Sequence, residues 1–219
     1  MPKETFIKLK AEKQQQIRNA FLREFAIKAY DDASISMVVK QLGIAKGSIY
    51  QYFNDKLDLF MYLVGESVAV KTRYTGSLKR ENYADFWAYF SDLYEFGFQF
   101  DDENPLQSHF LHNLTQNLNS PSIKHLYNDL LSQVVIGFET MAKYEVQNGF
   151  FRSDIPIKTQ GFFLYKLGVS IQEQLEVMGV INTKESIEKQ QPVYFGKKDE
   201  LMQVVADYIE LARPAFTKN

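Results

Sequence analysis

No cysteine occurs in the 219 residues, which excludes disulfides, thiolate metal ligands and thiol nucleophiles and accords with a reducing compartment. No apolar run approaches the roughly 18 residues that a membrane-spanning helix requires. The start, Met1-Pro2-Lys3-Glu4-Thr5, lacks the apolar stretch of a secretory leader. The expected location is therefore the cytoplasm, with no membrane partner. Sustained alternation of apolar and polar residues is missing as well, which argues against half-buried strands. There is no nucleophile elbow, phosphate-binding loop or paired-carboxylate arrangement, so an enzyme has little support. No cofactor is expected, and neither internal repeats nor low-complexity tracts occur.

Apolar residues make up 45% of the chain and charged ones 24%, the balance of an ordinary globular protein. The net charge of −2 conceals a division by position. Up to Phe53, nine basic residues stand against five acidic ones, a surplus of four, so the remainder carries six net negative charges. A basic head on an acidic body suits a protein that sets one end on phosphate, although a basic amino-terminal arm also arises by chance.

Apolar spacings of three and four prevail, and they predict an all-α chain. The first helix is expected over 8–29, with Ile17, Ala20, Phe21 and Phe25 on its buried stripe. After a break at 30–33, Ser34 caps a short second helix that ends at Gly43, whose missing Cβ permits a left-handed turn. A third short helix covers 45–53. Asp55, with Asp58 three residues on, opens a fourth helix running toward 74. This helix is the spacer between an amino-terminal domain over 1–55 and a larger one over 56–219. Further helices are predicted over 82–101, 104–117, 120–148, 156–178 and 198–212, with Asn104-Pro105 and Ser120-Pro121 as start signals. The stretch 179–196, rich in Lys, Glu and Gln, reads as a loop with one loose helical turn.

Two short helices around a glycine turn make a helix-turn-helix. Val38, Val39 and Leu42 are expected to meet Ile44, Ile49 and Phe53 and to hold the second helix of the pair rigidly at the surface. Ile49 and Phe53 are four apart and face inward, which leaves Lys46, Gly47, Tyr50 and Gln51 on the other side. A cation, a glycine, a phenol and an amide suit phosphates and base edges. The alternative is an aromatic core cluster of Tyr50, Tyr52 and Phe53, and for Phe53 that is the expectation. Lys56 lies in the first turn of the next helix, where a cation opposes the helix dipole. Either an anion sits nearby or the lysine is simply solvated.

The stretch 17–60 resembles the amino-terminal DNA-binding domain of the TetR (tetracycline-repressor-like) family. That family's signature is a small residue, Lys-Gly-Ser or Lys-Gly-Thr, an aliphatic, Tyr, any residue, Tyr or His, Phe, and a Lys a few positions on. It stands here as Ala45-Lys46-Gly47-Ser48-Ile49-Tyr50-Gln51-Tyr52-Phe53 with Lys56. The resemblance implies phosphate contacts from Lys46, Tyr50, Tyr52 and Lys56, and approach to bases by Gly47, Ser48 and Gln51, with Ala45 opening the helix. On the preceding helix Ser36 and Met37 replace charged residues common in the family, leaving Ser34 and Ser36 as its contacts. It further implies a homodimer on a palindromic double-stranded operator and a small-molecule effector bound by the carboxy-terminal bundle.

Nine aromatic residues between Tyr83 and Phe100 are too many for one helical stripe, so that helix is central in a bundle or lines a cavity. Trp87, Phe90 and Tyr94, with His109, His112, Phe138 and Met141, are the candidate walls of a pocket for an apolar or aromatic effector. Core packing is the alternative for each. His109 with His112, and His125 with Asp129, have spacings that a metal could use, but no further ligand stands at the usual distance, and no metal site is assigned. The last two predicted helices carry Leu164, Leu167, Gly168, Ile171 and Leu175, then Val204, Val205, Tyr208 and Leu211. These are the candidate dimer interface, against purely intramolecular packing. The reading as a whole is a ligand-responsive DNA-binding regulator, a repressor released by its effector. Its competitor is an all-helical small-molecule-binding protein or enzyme with a vestigial helix-turn-helix. Steep salt dependence of DNA affinity separates the two.

Overall fold

Short polar side chains start several of the helices. The Ser34 hydroxyl accepts from the Met37 amide at 3.3 Å, Asp55 from Asp58 at 2.7 Å, Asp85 from Ala88 at 2.8 Å and Asn182 from Glu185 at 3.2 Å. Each satisfies an amide that has no partner inside its own helix. The computed structural model describes residues 1–217, and every regular element among them is helical. The α-helices are α1 (Glu4–Ile7), α2 (Ala11–Ile27), α3 (Ile35–Gln41), α4 (Lys46–Tyr52), α5 (Lys56–Thr75), α6 (Phe86–Glu103), α7 (Pro105–His112), α8 (Leu114–Leu118), α9 (Lys124–Gln147), α10 (Ile157–Val177), α11 (Thr183–Glu188) and α12 (Lys198–Phe216). Gly43, between α3 and α4, has φ +65°, the left-handed conformation that the turn requires.

The elements differ from expectation where side chains interrupt the backbone ladder. The first predicted helix, 8–29, is α2 over 11–27, and the short α1 ahead of it was not anticipated; the Gln14 amide donates to the carbonyls of Ile7 at 3.0 Å and Leu9 at 2.9 Å and so stabilises the turn between them. The helix expected over 104–117 breaks at Asn113, whose side chain donates to the Phe25 carbonyl at 3.0 Å; Asn117 donates to the same oxygen at 2.8 Å. These two bonds tie the α7–α8 corner to the end of α2. Residues 179–196 contain a capped helix, α11, rather than one loose turn.

Apolar side chains gather in two clusters. In the first, Ile17, Phe21 and Phe25 of α2 pack with Val38, Val39, Ile49, Phe53, Leu59, Phe60 and Leu63, and Phe110, Leu118 and Ile123 from much later in the chain complete it. The second joins α6 to α10 and α12 through Phe86, Trp87, Phe90, Leu164, Ile171, Val205 and Phe216. α9 crosses α10 so closely that a Cβ at Gly161 would lie 2.6 Å from Glu139 Cα. Arg80, between α5 and α6, holds Glu145 of α9 in a two-pronged ion pair at 2.6 and 2.8 Å.

This packing corrects the proposed subunit interface. Leu164, Leu167, Ile171, Leu175 and Val205 are buried within the single chain, because α10 and α12 turn those stripes toward each other and toward α6. Gly168 faces inward too, with its carbonyl 3.4 Å from the Tyr94 hydroxyl. Of the expected set, Leu211 is 79% exposed, and Val204 and Tyr208 are partly exposed.

Candidate nucleic-acid interface and effector cavity

α4 is only seven residues long, too short to persist alone, and tertiary contacts hold it. Its inner side, Ile49 and the following Phe53, is 0% exposed and seated on Val38 and Val39 of α3. On its outer side Lys46, Gly47 and Gln51 are exposed and Tyr50 is 43% exposed. Ala45 and Ser36 are exposed nearby, and Ser48 is half-buried. The Ser34 oxygen is engaged in capping α3, and its amide donates to Glu24 at 2.8 Å. Tyr52 is half-buried, its ring edge-on to Phe6 at 5.8 Å.

Lys56 has partners within the chain that its sequence position does not reveal. Its ammonium donates to the Ala33 carbonyl at 2.6 Å and lies 4.5 Å from the centre of the Tyr30 ring. Burial lowers its pKa from the ordinary lysine value, against the opposing pull of Asp31, and burial likewise raises the Tyr30 phenol to about 12. The counter-charge expected from an external anion is supplied by the turn between α2 and α3. Lys56 thus fastens that turn to α5.

Sequence reasoning missed the support that α1 gives α4. The Lys3 amide donates to the Tyr52 carbonyl at 2.8 Å, the Lys3 ammonium to the Tyr50 carbonyl at 2.9 Å, and the Thr5 hydroxyl to the Gln51 carbonyl. Three consecutive carbonyls at the end of α4, which have no partners within the helix, are therefore capped by one short segment. Phe6 wedges in beside them, 5.0 Å from Phe53 and 5.7 Å from Tyr62. Phe6 and Leu9, spaced by three in a polar start, were the available signal.

The second region encloses a cavity of about 450 Å³, within the range of about 300–1,000 Å³ usual for small-molecule sites. Phe90, Tyr94, His112, Phe138 and Met141 line it, as expected. Trp87 and His109 do not. Trp87 packs against Phe151 and Phe216 in the second cluster, one turn off the wall. His109 points toward the following loop, where its Nε2 donates to the Gln191 carbonyl at 2.9 Å, and burial lowers its pKa. His112 pairs with Glu176, and that hydrogen bond holds the carboxyl below the usual range. The wall residues missed include Lys71 and Thr75 of α5 and Ser108 of α7. Among the described residues no group of three or more His, Asp or Glu side chains could hold a metal, and no helix is long and apolar enough to cross a membrane.

A braced short helix with an outward polar side, joined by long helices to an aromatic-walled cavity, defines a helix-turn-helix protein with a cavity in its second region. Residues 17–63 match the family described as bacterial regulatory proteins, tetR family. A TetR family transcriptional regulator from Chloroflexus aurantiacus has the same fold over 100% of both chains, with 25% identity and a TM-score of 0.78. FadR from Bacillus subtilis, solved with stearoyl-CoA, is similar in fold over 90% of this chain and 96% of its own, with 16% identity and a TM-score of 0.60. An HTH-type transcriptional regulator of Bacillus subtilis, YdgC, is 31% identical over 71 residues, a stretch that is 32% of this chain and 36% of that relative. Residues 17–63 thus match the DNA-binding region of the tetR family, and the chain as a whole is similar in fold to a TetR family regulator.

Proposed function

We propose that the chain is a homodimeric transcriptional regulator that docks α4 in the major groove of a palindromic operator and is released when a small molecule fills the cavity. One observation carries this reading: α4 is immobilised through Ile49, Phe53 and α1 while Lys46, Gly47, Tyr50 and Gln51 stay accessible. A helix so held can enter a groove without a large ordering cost. Ser36 and Ser48 add short donors at the margin of the same surface, whereas Lys56 is left out of the contact set.

Two helices provide the coupling. α5 contributes Leu59, Phe60 and Leu63 to the first cluster and Lys71 and Thr75 to the cavity wall; α7 contributes Phe110 to the first and Ser108, Leu111 and His112 to the wall. A ligand that changes the cavity thereby acts on the packing beneath α4, and ligand and DNA oppose each other reciprocally. Phe163 of α10 and Leu211 of α12, both exposed, with Val204 and Tyr208 beside them, are the surface assigned to the partner copy. Pairing sets two α4 helices one helical turn of DNA apart, roughly 34 Å.

The test is a gel-shift titration on DNA selected from a random pool. Lys46→Ala and Tyr50→Ala are each expected to cost about 1–3 kcal/mol of binding with the helical spectrum unchanged, and Lys46→Ala to lower the salt slope by about one. Unaltered affinity in both folded variants ends the proposal.

A further inference from the structure

α5 brings one cation to the cavity. Lys71 lines it together with Thr75, one turn further on, and no hydrogen bond or ion pair engages its Nζ among the described residues. Its ring neighbour is Phe100, with the ammonium 5.9 Å from the ring centre. Asp101 is the carboxylate whose field reaches it, but Asp101 is 1% exposed and both its oxygens are occupied, accepting from the amides of Val193 and Tyr194 at 2.9 Å each. The remaining ionisable group on the wall, His112, is hydrogen-bonded to Glu176. Lys71 keeps accessible surface, yet the protein around it pulls its ammonium below the usual lysine range. The two observations agree for a side chain that projects into an internal space. Asp101 and the Phe100 ring act on Lys71 only from a distance, and the other wall residues around the same space, Phe90, Phe98, Phe138 and Met141, present no anion to it.

We propose that the cavity receives a small amphipathic monocarboxylate, with its carboxylate on Lys71 and its apolar body among Phe90, Phe98, Phe138 and Met141. The inference rests on the effector reading above and gives that effector its charge. One cation matches one negative charge. A phosphate monoester or a larger polyanion would bring charge that the hydroxyls and rings of this wall cannot neutralise. Because Lys71 lies on the helix that also supports α4, neutralising it acts directly on the element that joins the two ends of the molecule.

Calorimetric titration of the full chain with 4-phenylbutanoate, 4-phenylbutan-1-ol and 4-phenylbutyl phosphate tests this. The carboxylate is expected to bind about tenfold or more tightly than the alcohol. Lys71→Met, with Lys71→Gln as a second replacement, should erase that gap while the alcohol still binds, and Lys71→Arg should retain it. Gly97→Phe, which places a ring into the cavity from a wall position where a Cβ meets nothing within 4 Å, should block both ligands. Equal affinity for carboxylate and alcohol, both blocked by Gly97→Phe, overturns the monocarboxylate and leaves the effector cavity standing. Tighter binding of the phosphate overturns it also. Binding that ignores Gly97→Phe, or no binding by any of the three, removes the cavity reading itself.

Discussion

Around α4 the rings close every gap: Phe6 is 5.0 Å from Phe53, Phe53 is 5.4 Å from Tyr62, and Phe25, Phe60 and Phe110 stack edge to face behind them. Around the middle of α6, equally rich in rings, Phe90 and Tyr94 meet edge to face at 5.2 Å, but together with Phe98 and Phe138 they border an open space of about 450 Å³. The first arrangement makes a short helix rigid. The second keeps a space that something else must fill, and gives up stability to do so. Residue type is shared between the two regions; the direction in which the backbone aims it is not.

The contrast is broken most directly by removing one ring from each side. Phe53→Ala is expected to cost about 3–5 kcal/mol in urea denaturation, since a fully buried phenyl group leaves a cavity in a filled core. Phe138→Ala, on a wall that already borders empty space, should cost about 1 kcal/mol or less. Equal losses would mean that the two regions are packed alike. Next in size is Arg80→Met, which strands the buried Glu145 carboxylate and should cost about 3 kcal/mol, most of it recovered in the double variant Arg80→Met with Glu145→Leu. No recovery would assign the loss to the connection between α5 and α6 instead of to the charge.

The smallest effect sharpens the contrast at the seam between the regions. His109 is buried on α7 in its neutral form, with its pKa below the ordinary 6.5. The unfolded chain therefore binds a proton more readily than the folded one between 6.5 and the lower folded-state value, and stability falls as pH drops through that window. In His109→Gln the folded chain no longer resists that proton, so its stability should decline less on going from about pH 7 to about pH 5.5. Parallel pH profiles for the two proteins in urea denaturation would remove His109 as the cause.

The partition of α4 into a buried and an exposed side was legible because helical geometry converts spacing into direction: Ile49 and Phe53 are four apart, and so are Lys46 and Tyr50. The caps at Ser34 and Asp55 were legible for a similar reason, since donor and acceptor lie three residues apart in the same segment. Lys56 shows where such reasoning stops. Its dipole conflict was visible, but its partner, the Ala33 carbonyl, depends on how α5 docks under α2. Trp87 and His109 had suitable chemistry for a pocket wall and missed it by one turn. The apolar stripe of α10 was read as a dimer interface, but within the chain it packs against α12 and α6.

Local order thus determined that the chain is helical, where several of its helices begin, that a Gly43 turn joins two short ones, and which way α4 faces. These depend on 3.6-residue periodicity and on hydrogen bonds spanning a few residues. Only the tertiary structure decided that α1 caps α4 across some fifty positions, that α7 completes the first core, that Gly161 lets α9 and α10 nearly touch, and that Lys71 faces a space without a counter-charge. Those outcomes arise from packing between segments distant in sequence, where several side chains compete for one volume and no spacing along the chain states which will fill it.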